Sequence, residues 1–250
     1  MAKYPIYPSF EPYVLSTILP LLFAGPRSFR QDAVHLTRRI RPAPQIEGTP
    51  PQTCGRGIVL AVNHYNRPGF GAWWIALSIA AAVPFETHWM MTSAWVYPDR
   101  LRSWTVTPLS RWALARIARS YGFTSAPPMP PRPAEFGTRA TTVRSLLRYI
   151  DQDPEPALAM APEGSDSQDG TLQIPPAGVS HLFQHLDQKG MSFVPIGVFE
   201  DRGSLITRFG EPLDGSQAPN STGILGDDVL TLVMRGIAAC LPAALRGRYA

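Results

Sequence analysis

The chain is short of cysteine and lysine. Among 250 residues it has two cysteines, Cys54 and Cys240, too few for a disulfide framework and without the spacing of a metal site. Its two lysines, Lys3 and Lys189, leave nearly all the positive charge to arginine. The net charge is only +4, and arginine, proline and alanine are enriched together, as a base-composition bias in the gene would produce. A nucleic-acid partner is therefore not expected. No run reaches the roughly 18 apolar residues of a spanning helix. Met1-Ala-Lys-Tyr-Pro opens the chain without the apolar stretch of a signal peptide, so a cytoplasmic location is expected. No Gly-x-Ser-x-Gly surrounds any serine, which removes the elbow of a serine-nucleophile hydrolase. Aspartate and glutamate are absent from Gly57 to Phe85, and no internal repeat is present.

What remains is 44% hydrophobic, enough for the core of one medium domain with a small appendage. Residues 1–56 read as that appendage: an apolar stretch, Val14 to Phe23, interrupted by Pro20, then Arg27, Arg30, Arg38, Arg39 and Arg41, then a proline-rich linker. Apolar residues followed by arginines suit either a segment lying on a bilayer interface or a helix packed on the main domain. From residue 57 to 250 short apolar runs alternate with longer helical stretches, the pattern of an α/β fold with a mostly parallel central sheet flanked by helices.

The clearest stretch is Gly57 to Trp74. Ile58 to Val62 is a short, β-branched apolar run and reads as a buried strand. It ends at Asn63-His64, and a turn with Pro68 and Gly69 leads to a helix expected over Phe70–Val83. A histidine where a buried strand gives way to a helix stands where open α/β sheets build active sites, and imidazole can take a proton near neutral pH. Further strands are expected at His88–Met91, Tyr121–Thr124, Ala157–Met160, Phe193–Val198 and Leu205–Phe209. Helices are expected at Leu109–Ser120, Thr141–Ile150, Ala177–Leu186 and Asp227–Leu241, and Trp95 to Trp104 reads as a loop with aromatic anchors. His88 and Trp89 read as packing residues. His181 and His185 lie four apart on one helix face, a spacing that can bind metal. No third ligand is patterned near them, so surface histidines are expected, with no metal and no cofactor.

Four segments come in a set order: the Asn63-His64 turn, Pro162-Glu163-Gly164-Ser165-Asp166-Ser167, Val194-Pro195-Ile196-Gly197 and Phe209-Gly210-Glu211-Pro212. Together, over Gly57 to Leu213, they resemble the glycerolipid acyltransferases that acylate glycerol phosphate and lysophosphatidic acid. The resemblance implies that His64 is a general base. It would remove the proton of a lipid acceptor hydroxyl as that oxygen attacks an acyl thioester, delivered as acyl-coenzyme A or on acyl carrier protein. It implies that Asn66, Arg67, Glu163, Gly164 and Ser165 contact substrate, and that Arg132 or Arg139 fills the place of a phosphate-binding arginine. A protein peripheral at the inner face of the membrane is expected, because the apolar segment Val14 to Phe23 is too short to span and is broken by Pro20.

The chain departs from the resembled pattern in two places. Gly69 stands where the family has the aspartate that orients the histidine. Asp166 stands where it has an arginine, exchanging a phosphate-binding cation for an anion. One reading is that Asp166 takes over the orientation of His64, with Arg67 supplying the lost positive charge. The alternative is a catalytically inactive lipid- or acyl-carrier-binding protein on the same fold.

Overall fold

The structure, a computed structural model, describes residues 4–8, 25–53, 55, 57–129, 135–165, 167, 169–213 and 227–250. The strands are β1 Gln45–Glu47, β2 Ile58–Val62, β3 His88–Thr92, β4 Thr124–Ala126, β5 Ala157–Met160, β6 Ser192–Asp201 and β7 Ser204–Phe209. They form one sheet in the order β1-β7-β6-β2-β5-β3-β4. β6 and β7 form an antiparallel hairpin, and every other pairing is parallel. Every residue of β2 and of β5 is buried, because strands covered on both faces have no polar side to present.

The helices are α1 Phe29–Thr37, α2 Trp73–Ala82, α3 Arg100–Tyr121, α4 Phe136–Gln152, α5 Val179–Gln188 and α6 Asp227–Ala239. The connection β2–α2–β3 steps one way along the sheet and β5–α5–β6 steps the other way. Right-handed crossovers in opposite directions put α2 and α5 on opposite faces. β2 and β5 are neighbours, so the connections that leave their carboxyl ends run apart, the switch-point arrangement at which open α/β sheets form a crevice.

Several boundaries differ from the sequence expectation. The helix after His64 starts at Trp73 and not Phe70. The aromatic stretch expected as a loop is helical from Arg100, where Asp99 caps the helix by accepting from the Arg102 N–H at 2.9 Å. α3 then runs through Pro108 without ending. The strand expected at Tyr121–Thr124 is β4, shifted to Thr124–Ala126. α4 begins at Phe136, five residues before the expected start. Residues 25–53 of the expected appendage are built into the domain: α1 packs on α2, and β1 closes the sheet beside β7. The apolar stretch Val14–Phe23 lies outside the described residues.

The Val-Pro-Ile-Gly and Phe-Gly-Glu-Pro segments seat α6. A Cβ on Gly197 would lie 2.5 Å from the Cys240 carbonyl oxygen, and one on Gly236 2.8 Å from the Pro195 ring. Only glycine permits that approach. Pro195 sits in a central strand without cost to the ladder. Its carbonyl accepts from Gly210, so its nitrogen faces the same side, just past the last β6–β7 pair, Ile196 with Phe209.

Candidate functional site

Register brings the two principal motifs together. In the parallel pair β2–β5, Ala61 lies opposite Met160. Three residues on from each, at the carboxyl ends of the two strands, come His64 and Glu163. The Glu163 Oε1 accepts the backbone N–H of His64 at 2.6 Å, and its Oε2 accepts the backbone N–H of Gln173 at 2.6 Å. The Glu163 residue is 2% exposed, so its carboxylate lies beneath the rim of the crevice. Burial pushes that carboxyl up to about 7, against the two backbone N–H groups, which pull it down. His64 itself is half-buried.

The turns are tied at two further points. The Asn66 Nδ2 donates to the Ser167 carbonyl at 3.1 Å. Gly170 lies so close that a Cβ there would stand 2.6 Å from the Asn66 carbonyl oxygen, and its φ of +73° is left-handed. Gly164, at φ +70°, closes the turn whose N–H bonds the Ala161 carbonyl at 3.1 Å. It and Ser165 are exposed at the mouth of the crevice.

On its other side the His64 turn is held by β6. That strand has ten residues to the five of β2 and runs on past its end. Asn63, 1% exposed, continues the pairing with its side chain. Its Oδ1 accepts the Val198 N–H at 2.7 Å and its Nδ2 donates to the Val198 carbonyl at 2.9 Å. Two residues on, the carboxylate of Glu200 receives Arg67 through Nε and, at 2.7 Å, through Nη2. It also accepts the hydroxyls of Tyr7 at 2.7 Å and Tyr65 at 3.1 Å. Burial, followed by the bond to Glu200, raises the Tyr7 hydroxyl well above its ordinary value.

Arg67 is thus committed. Nη1 donates to the Pro68 carbonyl at 2.8 Å, and the guanidinium lies 3.9 Å from the centre of the Tyr4 ring. Its charge is balanced within the turn by Glu200. Arg139 stands on α4, with Nη2 donating to the Pro128 carbonyl at 2.8 Å and Nη1 3.7 Å from the Met129 sulfur. The Met129 side chain in turn abuts Gly164, so Arg139 reaches the Glu163 turn through one intervening residue. Arg132 and Asp166 lie outside the described residues.

His181 and His185 sit on α5, and no group of three or more potential metal ligands gathers among the described residues. His88 packs: its ring stacks on Tyr149 with centroids 3.9 Å apart, and Nε2 bonds the Thr124 hydroxyl at 2.8 Å. Burial lowers its pKa to about 4, so it is neutral at physiological pH. Sequence reading missed Asn63, Gln173, Tyr65 and Glu200. Asn63 carried a signal, since a lone amide closing an apolar strand needs partners for both of its ends.

The fold is therefore a helix-flanked, mostly parallel α/β sheet with a histidine and a buried carboxylate at adjacent strand ends. No protein-family model matches the chain, and no curated protein matches it. Among solved structures it is similar to the crystal structure of the 1-acyl-sn-glycerophosphate (LPA) acyltransferase PlsC from Thermotoga maritima, at 15% identity and a TM-score of 0.47, over 91% of this chain and 80% of that one.

Proposed function

We propose that the chain is an acyltransferase that moves a fatty acyl group from a thioester to a hydroxyl of a glycerol-phosphate-like or related lipid, with His64 as general base. The observation that carries this reading is the hydrogen bond from the His64 main chain to Glu163. It joins the two motifs of the resembled acyltransferases at one crevice, in the register of neighbouring strands.

In this reading a ring nitrogen of His64 takes the acceptor's hydroxyl proton as its oxygen attacks the thioester carbonyl. A C–O bond forms, the C–S bond breaks, and the imidazolium returns the proton to the departing thiolate. Glu163 is a positioning residue: it fixes the main chain that carries the ring. Asn63 and Asn66 fix the same turn from β6 and from the Glu163 loop. Gly164 and Ser165, exposed at the mouth, are the contacts for the acceptor, and Arg139 stands behind them through Met129. Asp166 as the group that orients the ring, Arg132 as a phosphate contact, and coenzyme A or acyl carrier protein as donor belong to the same proposal, as does peripheral attachment to a membrane. No described helix is long and apolar enough to cross one.

The test is incubation of purified protein with labelled acyl-coenzyme A or acyl carrier protein and a panel of phosphorylated and unphosphorylated hydroxyl acceptors. Transfer to a lipid acceptor is expected. Thioester hydrolysis alone, or binding without transfer, would favour the inactive binding protein.

A further inference from the structure

Helix α3 is longer than the strands it connects. Its 22 residues span about 33 Å at 1.5 Å per residue. The five residues of β3 cover about 16 Å. It joins the carboxyl end of β3 to the start of β4, so it runs down from the sheet edge that carries His64. The Trp95 N–H, three residues beyond β3, donates to the Ser110 hydroxyl at 3.1 Å, which marks where the helix passes that edge. Residues 100–109 therefore project beyond it. The buried residues of α3 agree, since Ser110, Leu114, Ala118 and Ser120 all lie beyond residue 109.

The projecting half is not polar. Leu101 is 73%, Trp104 83% and Leu109 64% exposed, and Trp112 is also exposed. With Pro108 they fall on one helical face. Trp95 and Trp73, each just past the same sheet edge, are exposed too. Of the six tryptophans, only Trp74 and Trp89 are buried. Flanking the stripe are Arg100, Arg102, Arg111, Arg116 and Arg119, with Asp99 the single acid between Trp95 and Gly122. Arg116 lies 5.9 Å from the Trp112 ring centre.

We propose that this overhang is the face by which the protein sits on an anionic lipid bilayer. Tryptophan and leucine would enter the headgroup boundary, and arginines would meet the lipid phosphates. Apolar residues that a packed domain would bury are here displayed beside cations, at the edge where an acceptor drawn from a bilayer would reach His64. The inference rests on the acyl-transfer reading only for what is delivered, and the surface is tested without turnover.

The full chain is cosedimented with vesicles of phosphatidylcholine alone and with added phosphatidylglycerol. The triple variant Leu101→Ala, Trp104→Ala, Leu109→Ala is run beside it. All three side chains are exposed, so the circular dichroism spectrum is expected to be unchanged. The wild type is expected to bind the anionic vesicles, to release them at about 0.5 M salt, where screening is strong, and to lose roughly tenfold or more in partition in the triple variant. Equal partition of variant and wild type overturns the proposal. So does self-association abolished in the variant without vesicle binding, which would make the face a contact between copies. Transfer to a water-soluble short-chain acceptor is expected to survive the triple variant, while transfer to a vesicle-borne acceptor falls. If neither acceptor is acylated, the acyl-transfer reading fails and vesicle partition still decides the surface.

Discussion

Two buried carboxylates flank the His64 turn, and they meet the cost of burial differently. The Glu200 side chain is 1% exposed and is met by a guanidinium and two tyrosine hydroxyls. Glu163, as deeply buried, receives two main-chain N–H groups and is paired with no cation among the described residues. A carboxylate with a paired charge can stay ionised out of water, whereas one held only by dipoles is pushed toward its neutral form. Glu200 is thus a strut that ties Arg67 and the turn to β6. Glu163 is a clamp on the main chain of His64 whose charge depends on pH near neutrality.

Removing the cation from the first pair should have the largest effect on stability. Arg67→Ala leaves the Glu200 carboxylate buried with only the tyrosines, and a loss of about 3 kcal/mol is expected in urea unfolding. The double variant Arg67→Met, Glu200→Gln should recover much of it. A loss under about 1 kcal/mol would show that the pair is not the strut described.

Glu163→Ala should cost somewhat less, about 2 kcal/mol, because two backbone N–H groups lose their acceptor. Its effect on catalysis separates positioning from mere packing. The turnover number should fall at least about tenfold with KM little changed, and Glu163→Gln, which keeps one acceptor oxygen, should restore part of it. Equal falls in stability and activity without rescue by Gln would reduce Glu163 to a packing element.

A pH titration sharpens the contrast further. The folded-state value for Glu163, about 7, lies above its ordinary 4.5. Between those values the folded state holds the extra proton, so its contribution is complete below about 4.5 and is lost as pH rises through about 7. Wild type should therefore lose stability relative to Glu163→Gln across that window, on the order of 1–3 kcal/mol. His88 works in the opposite sense. Its lowered value of about 4 contributes stability that is full above the ordinary 6.5 and is lost as pH falls toward 4, which is why the comparison is made against the variant. A flat difference would mean that Glu163 stays in one protonation state.

The elements that sequence reasoning located best are those whose burial is uniform. β2 and β5 match their expected bounds because an all-apolar run of four or five residues has one stable home in a helix-covered sheet. The start of α3 was hidden because Tyr97-Pro98 reads as a turn and Pro108 as a stop. Asp99 in fact caps a helix whose first ten residues bury no apolar side chain, so their pattern gave no sign of burial. β1 is three residues long with two polar side chains, and it exists only because β7 offers it an edge. At the site, His64 and Glu163 could be named from order and motif. Glu200 could not, because its link to Arg67 spans 133 positions and depends on β6 outrunning β2.

The central claim is that the imidazole of His64 acts as base at the crevice that Glu163 braces. It is tested most directly by steady-state transfer kinetics of His64→Ala beside wild type, with the circular dichroism spectrum as a check on folding. The expected result is a turnover number lower by about 10² to 10⁴, the usual worth of a general base, with KM for donor and acceptor within about threefold. A folded His64→Ala protein with an unchanged turnover number would contradict it.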